Sequence, residues 1–168
     1  CGAALSLPHK LIASPPKSTP PAGPTQTTLE TSVVRLQLRH TWTTVMSTST
    51  FRDVVQVRIH RDGLTGIGEG APIPRYHETA TSALQALETV RGLVEHADPM
   101  LHVPLLAEVG KRLPGEWAAK AALAGALADW IGQKLGVPLH RFLGLDGSAT
   151  PITTMSIGID TPDMTRQK

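Results

Sequence analysis

The stretch TGIGEGAPIPRYHET, residues 65–79, decides how the chain folds. From Gly66 it matches G-x-G-x-x-A, a loose form of the dinucleotide-binding pattern. In a dinucleotide site a helix opens directly after the glycines, so that its first N–H groups face a pyrophosphate. Here Pro72 and Pro74 follow at once, and proline fixes φ, lacks an N–H and disfavours helical geometry in the preceding residue. A helix therefore cannot open at residues 70–75, and the pattern favours a strand that runs into a loop.

Three segments alternate between apolar and polar residues, which is typical of half-buried strands. They are residues 34–39, 51–60 and 64–70. In the second segment Val55, Val57 and Ile59 point to one side. RDG at residues 61–63 predicts a tight turn, because its glycine can adopt a positive φ. Residues 41–50, rich in Thr and Ser, are predicted as a loop with β character, which completes a three-stranded antiparallel meander.

From residue 80 onward the apolar period changes from two residues to about 3.6, the period of an α-helix. The predicted helices cover residues 80–97, 103–113 and 115–136, with one further turn at 138–144. Residues 150–160 read as a final strand, and residues 161–168 as the start of a helix that Thr161 caps. The predicted fold class is therefore α+β, a three-stranded antiparallel meander followed by a helical bundle.

The composition suits a globular core and argues against nucleic acid and membrane-spanning roles. Apolar residues make up 40% of the 168 residues and charged residues 18%. The net charge of +2 comes from Lys10 and Lys17, so the rest of the chain has no basic excess that would attract nucleic acid. No apolar run approaches the length that crosses a bilayer.

The only cysteine is Cys1, which excludes an intramolecular disulfide and a cysteine-based metal site. Residues 1–28 are predicted as a disordered Pro-rich tail or tether, because composition such as SPPKSTPPAGPT (14–25) stays extended. Two interpretations stay open. The chain is a fragment or processed product, or it is a mature lipoprotein anchored to a membrane through lipidated Cys1. The second predicts a periplasmic or membrane-anchored protein, and the first a cytoplasmic one.

Three segments, in this order and at this spacing, resemble the mandelate racemase/muconate lactonizing branch of the enolase superfamily. They are DGLTGIGEGAP (62–72), ALAGALADWIGQKLGVPLHRFLG (122–144) and TTMSIGID (153–160). More narrowly, RHTWTTVMSTSTFRDVVQVRIHRDG (39–63) followed by APIPRYHET resembles dipeptide epimerases, the relatives of L-Ala-D/L-Glu epimerase. The resemblance implies an N-terminal capping domain over residues 29–148. Residues 149–168 would then be the first strand and helix start of a truncated (β/α) barrel.

In that family two loops of the capping domain close over the substrate. Here they would be TTVMSTSTF (43–51) and APIPRYHET (71–79). The resemblance implies that the side chains facing a dipeptide are Ser47, Thr48, Arg75 and Tyr76. It places Ser47 or a close neighbour where some relatives use an arginine to hold an acidic side chain. This argues against an acidic dipeptide and leaves other dipeptides open.

The resemblance also implies Mg²⁺-dependent removal of an α-proton next to a carboxylate, with lysines as base and acid. Those lysines and the metal ligands belong to later barrel strands. The sequence is therefore expected to supply no catalytic residue and no metal ligand, and to be inactive by itself. Its expected partners are a dipeptide substrate and the missing barrel domain, and homo-oligomerisation stays open. The alternative function is a stand-alone binding or interaction module with the same fold, lipid-anchored or free.

Polar residues outside these loops are expected to be structural. The seven histidines contain no pair at i,i+4, which disfavours a metal site; they stand at 9, 40, 60, 77, 96, 102 and 140. Asp129, in the apolar third helix, is expected to hydrogen-bond a neighbouring element. Glu69, at a strand end, is expected to be structural or to lie at a domain interface.

Overall fold

The helices pack on one face of a three-stranded sheet, in a computed structural model that describes residues 26–167. The elements are β1 (Thr28–Thr43), β2 (Thr48–Arg61), β3 (Leu64–Gly70), α1 (Ala80–His96), α2 (His102–Arg112), α3 (Trp117–Leu135), α4 (Leu139–Phe142) and α5 (Pro162–Gln167). Two 3₁₀ turns join them, at Pro74–Tyr76 and Pro99–Leu101. The strand order is β1-β2-β3 with antiparallel pairing throughout, which confirms the predicted meander and the α+β class.

The central strand β2 supplies the sheet's contribution to the core. Val55, Val57 and Ile59 are fully buried against the helices, as their alternation predicts. Branching at Cβ suits these residues to the pleated, half-buried surface of a strand. The turn to β3 has two residues with positive φ, Asp62 at 53° and Gly63 at 74°. This geometry matches the right-handed twist of the flanking strands and sets the hairpin register.

The glycines of β3 allow the strand to lie directly on α3. A Cβ added to Gly68 would stand 2.0 Å from the carbonyl oxygen of Ala122. One at Gly70 would stand 2.0 Å from the carbonyl oxygen of Ala118. The glycine pattern that resembles a phosphate loop therefore serves close contact between strand and helix.

The helix α3 is central because small residues cover the side that faces β3 and large ones fill the core. Leu123, Leu127 and Trp130 are almost completely buried. The helix ends at Gly136, which has a φ of 67° and donates its N–H to the carbonyl of Gln133 at 3.2 Å. This left-handed glycine confirms the predicted C-terminal cap.

The helix α1 begins with a capping box. The Thr79 hydroxyl accepts the N–H of Ser82, and the Ser82 hydroxyl accepts the N–H of Thr79, both at 3.0 Å. From this start α1 presents Leu87, Val90 and Val94 to the core. The buried cluster includes residues from β1, β2 and the first three helices, so it is one core.

The prediction of a loop over residues 41–50 is wrong for most of its length. β1 runs to Thr43 and β2 begins at Thr48, with pairs Trp42↔Ser49 and Thr43↔Thr48 after a register shift. Threonine is β-branched and fits a strand when a partner strand is available. Only residues 44–47 form the connecting turn.

The predicted strand at residues 150–160 is also absent from the structure. A strand needs a neighbour, and among residues 26–167 this segment is joined to the sheet by one backbone hydrogen bond, from the Ile159 N–H to the Thr43 carbonyl at 2.8 Å. The helix start is confirmed, because α5 follows and the Met164 N–H donates to the Thr161 hydroxyl at 3.3 Å.

The start of the fold lies slightly before Leu29. Thr28 opens β1, and Thr27 is buried, with its hydroxyl donating to the Ala97 carbonyl at 3.3 Å. Both threonines fall within the range predicted as the tail. Cys1 and the Pro-rich residues 14–25 lie outside the described residues. In the described part of the chain no helix is long and apolar enough to cross a membrane.

Candidate functional site

The tip of the β1–β2 hairpin is a tight turn. The Thr44 hydroxyl accepts the N–H groups of Met46 and Ser47, each at 3.2 Å, and the Thr44 N–H donates to the Ser47 carbonyl at 2.8 Å. These bonds hold Ser47 and Thr48 at the start of β2. Val45 and Met46 project outward, exposed over 88% and 86% of their surfaces. The first predicted loop is thus a short, ordered turn on two long strands.

An ion pair ties the two strands below this tip. The Arg35 guanidinium donates to both carboxylate oxygens of Asp53, at 2.7 and 2.8 Å, and lies 3.9 Å from the centre of the Phe51 ring. The side-chain hydrogen bonds from Arg35 lower the pKa of Asp53 below its usual value. The pair therefore links β1 and β2 where no helix covers them.

This pair makes a prediction about pH. Replacing Arg35 (Arg35→Met) should raise the pKa of Asp53 toward its ordinary value of about 3.9. Because the folded pKa lies below the unfolded one, the pair contributes stability above the unfolded pKa and loses it as pH falls through the folded value. A side-chain carboxyl NMR titration measures the shift. Arg39→Met removes the same charge from the same strand and should leave the pKa of Asp53 unchanged. An Asp53 curve that Arg35→Met does not move would contradict the pair.

The second loop is compact. After Pro72 and Ile73 the chain makes a 3₁₀ turn, in which the Tyr76 N–H donates to the Ile73 carbonyl at 2.9 Å. His77 then takes a left-handed conformation with a φ of 60°. That conformation is uncommon for a residue with a side chain and reverses the chain toward α1.

Sequence reasoning missed Glu78, which stands near the end of this loop. It is one of two buried polar residues of the described chain, exposed over only 4% of its surface. Its carboxylate accepts the N–H of Trp117 at 2.5 Å and the N–H of Ala118 at 3.2 Å. These are the first helical residues of α3. No local pattern could reveal the contact, because the partners stand 39 and 40 residues away.

A cleft of about 660 Å³ lies between the two loops. Its lining is Leu36, Ser47, Thr48, Ser49, Arg52, Val54, Glu69, Ala71, Pro72, Ile73 and Pro74. Because Val55 faces the helices, its neighbour Val54 points to the opposite face of the sheet. The cleft is therefore open on the side of the sheet away from the helices. It combines an apolar floor with hydroxyl groups and one charge of each sign.

The structure brings together only part of the predicted site. Ser47 and Thr48 line the cleft. Arg75 and Tyr76 do not, but they directly follow its lining residue Pro74 and are both exposed. They therefore sit beside the cleft, with side chains exposed to solvent.

A second cavity, of about 410 Å³, lies between β1 and the segment predicted as the last strand. Its walls are residues 38–42 and 155–158, together with Arg52. None of the four predicted site residues lines it. Gly158 packs closely there, because an added Cβ would stand 3.2 Å from the Thr43 carbonyl oxygen.

Of the two other polar residues singled out in the sequence, Asp129 has a structural contact and Glu69 lies at the cleft. Asp129 is half-buried and accepts the N–H of Ile67 at 2.8 Å, which joins α3 to β3 as predicted. Glu69 is exposed at the rim of the cleft. Within residues 26–167 no group of three or more His, Cys, Asp or Glu side chains could hold a metal ion.

Comparison with known proteins agrees with this architecture. Residues 26–144 match the family model described as mandelate racemase/muconate lactonizing enzyme, N-terminal domain. The L-Ala-D/L-Glu epimerase of Bacteroides thetaiotaomicron is 41% identical over 133 residues, which is 79% of this chain and 34% of the relative. The L-Ala-D/L-amino acid epimerase of Pedosphaera parvula is 37% identical over 142 residues, covering 79% and 39%.

Solved structures show the same fold. A dipeptide epimerase from Enterococcus faecalis, in complex with Mg and L-Leu-L-Tyr, has a TM-score of 0.73 at 29% identity, covering 86% of this chain and 41% of that one. One from Cytophaga hutchinsonii, in complex with Mg and D-Ala-L-Val, has a TM-score of 0.77 at 23% identity, covering 86% and 39%. The chain spans little more than a third of the length of these relatives. It belongs to the mandelate racemase/muconate lactonizing enzyme family of the enolase superfamily, whose N-terminal domain it contains.

Proposed function

We propose that this chain is the substrate-covering part of a dipeptide epimerase, and that the whole protein inverts the α-carbon next to the carboxylate of a dipeptide. The observation that carries the proposal is the cleft between the two loops, on the face of the sheet that the helices leave free. It occurs in a domain whose relatives at 41% and 37% identity are epimerases of L-Ala dipeptides.

The cleft can perform three tasks for such a reaction. Its apolar residues, among them Leu36, Val54 and Ile73, can exclude water from a bound dipeptide. The hydroxyls of Ser47 and Thr48 can hydrogen-bond its polar groups and fix its orientation. Arg75 and Tyr76 stand beside the cleft as groups that would meet the substrate's exposed end. With a serine at position 47, we expect a preference for dipeptides without an acidic side chain.

The metal of the family has no evident place in the described residues. Mg is present in the dipeptide epimerases of E. faecalis and C. hutchinsonii named above. When bound, such an ion stabilises negative charge that develops on the substrate carboxylate. Residues 26–167 contain no cluster that fits it. The proposal therefore assigns proton transfer and metal binding to a barrel domain, and orientation of the substrate to this chain.

A domain graft tests the proposal. Residues 26–148 replace the matching domain of the B. thetaiotaomicron epimerase, and α-deuterium incorporation is followed in D₂O with Mg²⁺ and a dipeptide panel. We expect exchange by the graft, with substrate preference shifted from that of the parent, and no exchange by the 168-residue chain alone. Exchange by the chain alone would show that catalytic groups are present in it. A folded graft that retains the parent's preference throughout would refute the substrate-facing role.

A matched pair of variants refines the test. In the graft, Thr48→Val removes a cleft hydroxyl at nearly constant volume, and we expect a rise in KM. Thr50→Val makes the same change at an exposed position of β2 that does not line the cleft, and should leave KM unchanged. The intact mass of the native product would separately report whether a barrel is encoded and whether Cys1 carries an acyl group.

A further inference from the structure

The helix α3 begins without a cap of its own. Glu116 stands at its N-cap position in a left-handed conformation, φ 48° and ψ 51°, and its side chain makes no capping hydrogen bond. The first N–H groups of a helix have no partner within the helix. Serine, threonine, aspartate or asparagine at the N-cap normally satisfies one of them. The start of α3 therefore depends on a group from elsewhere in the chain.

Glu78 supplies that group from the end of the second loop. Its carboxylate accepts the N–H groups of Trp117 and Ala118, and it is buried. A carboxylate at this end of a helix also interacts favourably with the helix dipole. These two charge-assisted hydrogen bonds hold Glu78 strongly on α3. Losing either bond would leave a polar group with neither a protein partner nor water.

The contact is reciprocal. The Glu116 carboxylate accepts a hydrogen bond from the Ser82 hydroxyl at 3.2 Å. Ser82 is itself part of the capping box that starts α1. Each helix start thus receives a glutamate from the segment that precedes the other helix. We call Glu78, Ser82, Glu116 and the first two residues of α3 the glutamate clasp.

The other end of the second loop is held at the same turn of α3. Gly70 packs on the backbone of Ala118, whose carbonyl oxygen would lie 2.0 Å from an added Cβ. The loop of residues 71–77 therefore leaves α3 at Ala118 and returns to Trp117 and Ala118 through Glu78. Between these anchors stand Pro74, Arg75 and Tyr76.

We propose that Glu78 is a positioning residue, which sets the place of residues 71–77 relative to α3 and so the place of Arg75 and Tyr76 beside the cleft. The substrate-facing consequence rests on the function proposed above. The positioning itself does not, because it can be measured without a substrate. Glu78 is not among the residues that line the cleft and is assigned no catalytic role.

Amide hydrogen exchange of the full 168-residue chain tests the positioning. Glu78→Gln keeps the shape of the side chain but places an NH₂ group where one carboxylate oxygen accepted a hydrogen bond. We expect the amides of Tyr76 and His77 to exchange at least about tenfold faster relative to the amides of core strand β2. A tenfold change corresponds to about 1.4 kcal/mol. The matched control is Val94→Ala, which removes buried atoms near the far end of α1 and lowers stability throughout.

The control separates positioning from plain stability. In Val94→Ala the core amides should exchange faster and the loop amides, which open locally, should not, so that the ratio of loop to core exchange does not rise. The proposal fails if Glu78→Gln leaves that ratio unchanged, or if both variants change it equally. Should Glu78→Gln fail to fold, Glu116→Gly provides the second variant, since it removes the Ser82 partner and relieves the left-handed strain. We expect it to fold and to raise the ratio by a smaller factor, and an unchanged ratio there overturns the clasp. None of these outcomes depends on epimerase activity.

Discussion

Replacing Gly68 with alanine should abolish the contact between β3 and α3. The new Cβ would stand 2.0 Å from the Ala122 carbonyl oxygen and 2.4 Å from the Ala126 nitrogen. Both atoms belong to a helix backbone, which cannot rotate away as a side chain would. Overpacking in a core costs about 1–3 kcal/mol and sometimes more. With two backbone obstacles we expect a loss above about 3 kcal/mol in the free energy of unfolding, measured by urea titration with circular dichroism.

Gly92→Ala is the matched control. Gly92 lies inside α1 with no atom within 4 Å of an added Cβ, and it is exposed. There the same substitution should stabilise the chain by about 0.5–1 kcal/mol, because alanine favours the helix. Equal stability of Gly68→Ala and the parent chain would show that β3 and α3 do not pack as closely as the structure places them.

The second large effect is expected at Trp130, where Gly66 of β3 lies against α3. Its side chain is 1% exposed, and its indole N–H donates to the Arg61 carbonyl at 3.1 Å. Trp130→Ala should cost about 3–5 kcal/mol through the cavity it leaves. The unpaired carbonyl adds about 1–3 kcal/mol if water cannot reach it. Because small domains are stable by only about 5–15 kcal/mol, we expect this variant to be largely unfolded at 37 °C, as seen by circular dichroism.

Trp117→Ala makes the same replacement in the same helix at an exposed site. Trp117 is 60% exposed, and its ring lies 3.7 Å from the Lys120 ammonium. Its backbone N–H still reaches Glu78 after the substitution. Loss of the cation–π contact should cost no more than about 1 kcal/mol. Similar losses for the two tryptophans would contradict the assigned burial of α3.

The core of the fold follows from local patterns in the sequence. Val55, Val57 and Ile59 alternate along β2, and burial on one face confirms the period of two. The tight turn at Gly63 and the cap at Gly136 also follow, because few other residues adopt their positive φ values. Pro72 and Pro74 excluded a helix directly after the glycines. The glycines were therefore correctly assigned to a strand, β3. In each case the cause lies within a few residues of the effect.

The errors arose where the conformation depends on pairing between strands, which local composition does not show. Residues 41–50 are rich in hydroxyl side chains and contain no glycine or proline that would mark the turn. Their conformation depends on pairing across the hairpin. The segment 150–160 has strand-like composition, but among the described residues it finds no strand to pair with. Strand propensity describes a fit to a neighbour more than a preference of the backbone itself.

The candidate site divides in the same way. Ser47 and Thr48 were identified through a resemblance and lie in the cleft, although their role remains a proposal. Glu78 escaped notice because a glutamate before a helix is unremarkable until its distant partner is known. Arg52 and Glu69 also line the cleft, and the sequence did not predict this. Only the pairing of the three strands determines which side chains share a face.

The contact between β3 and α3 has a consequence for folding during synthesis on the ribosome. The hydrogen bond from Ile67 to Asp129 spans 62 residues. At synthesis rates of about 5–20 residues per second, the strand precedes its helix by roughly 3–12 seconds. Throughout that interval the valine and isoleucine side of the nascent hairpin lacks the cover that α3 provides, and such a surface invites association with other chains. A cell that synthesises this protein slowly should therefore depend most on chaperones that hold nascent hairpins, until α3 has left the exit tunnel.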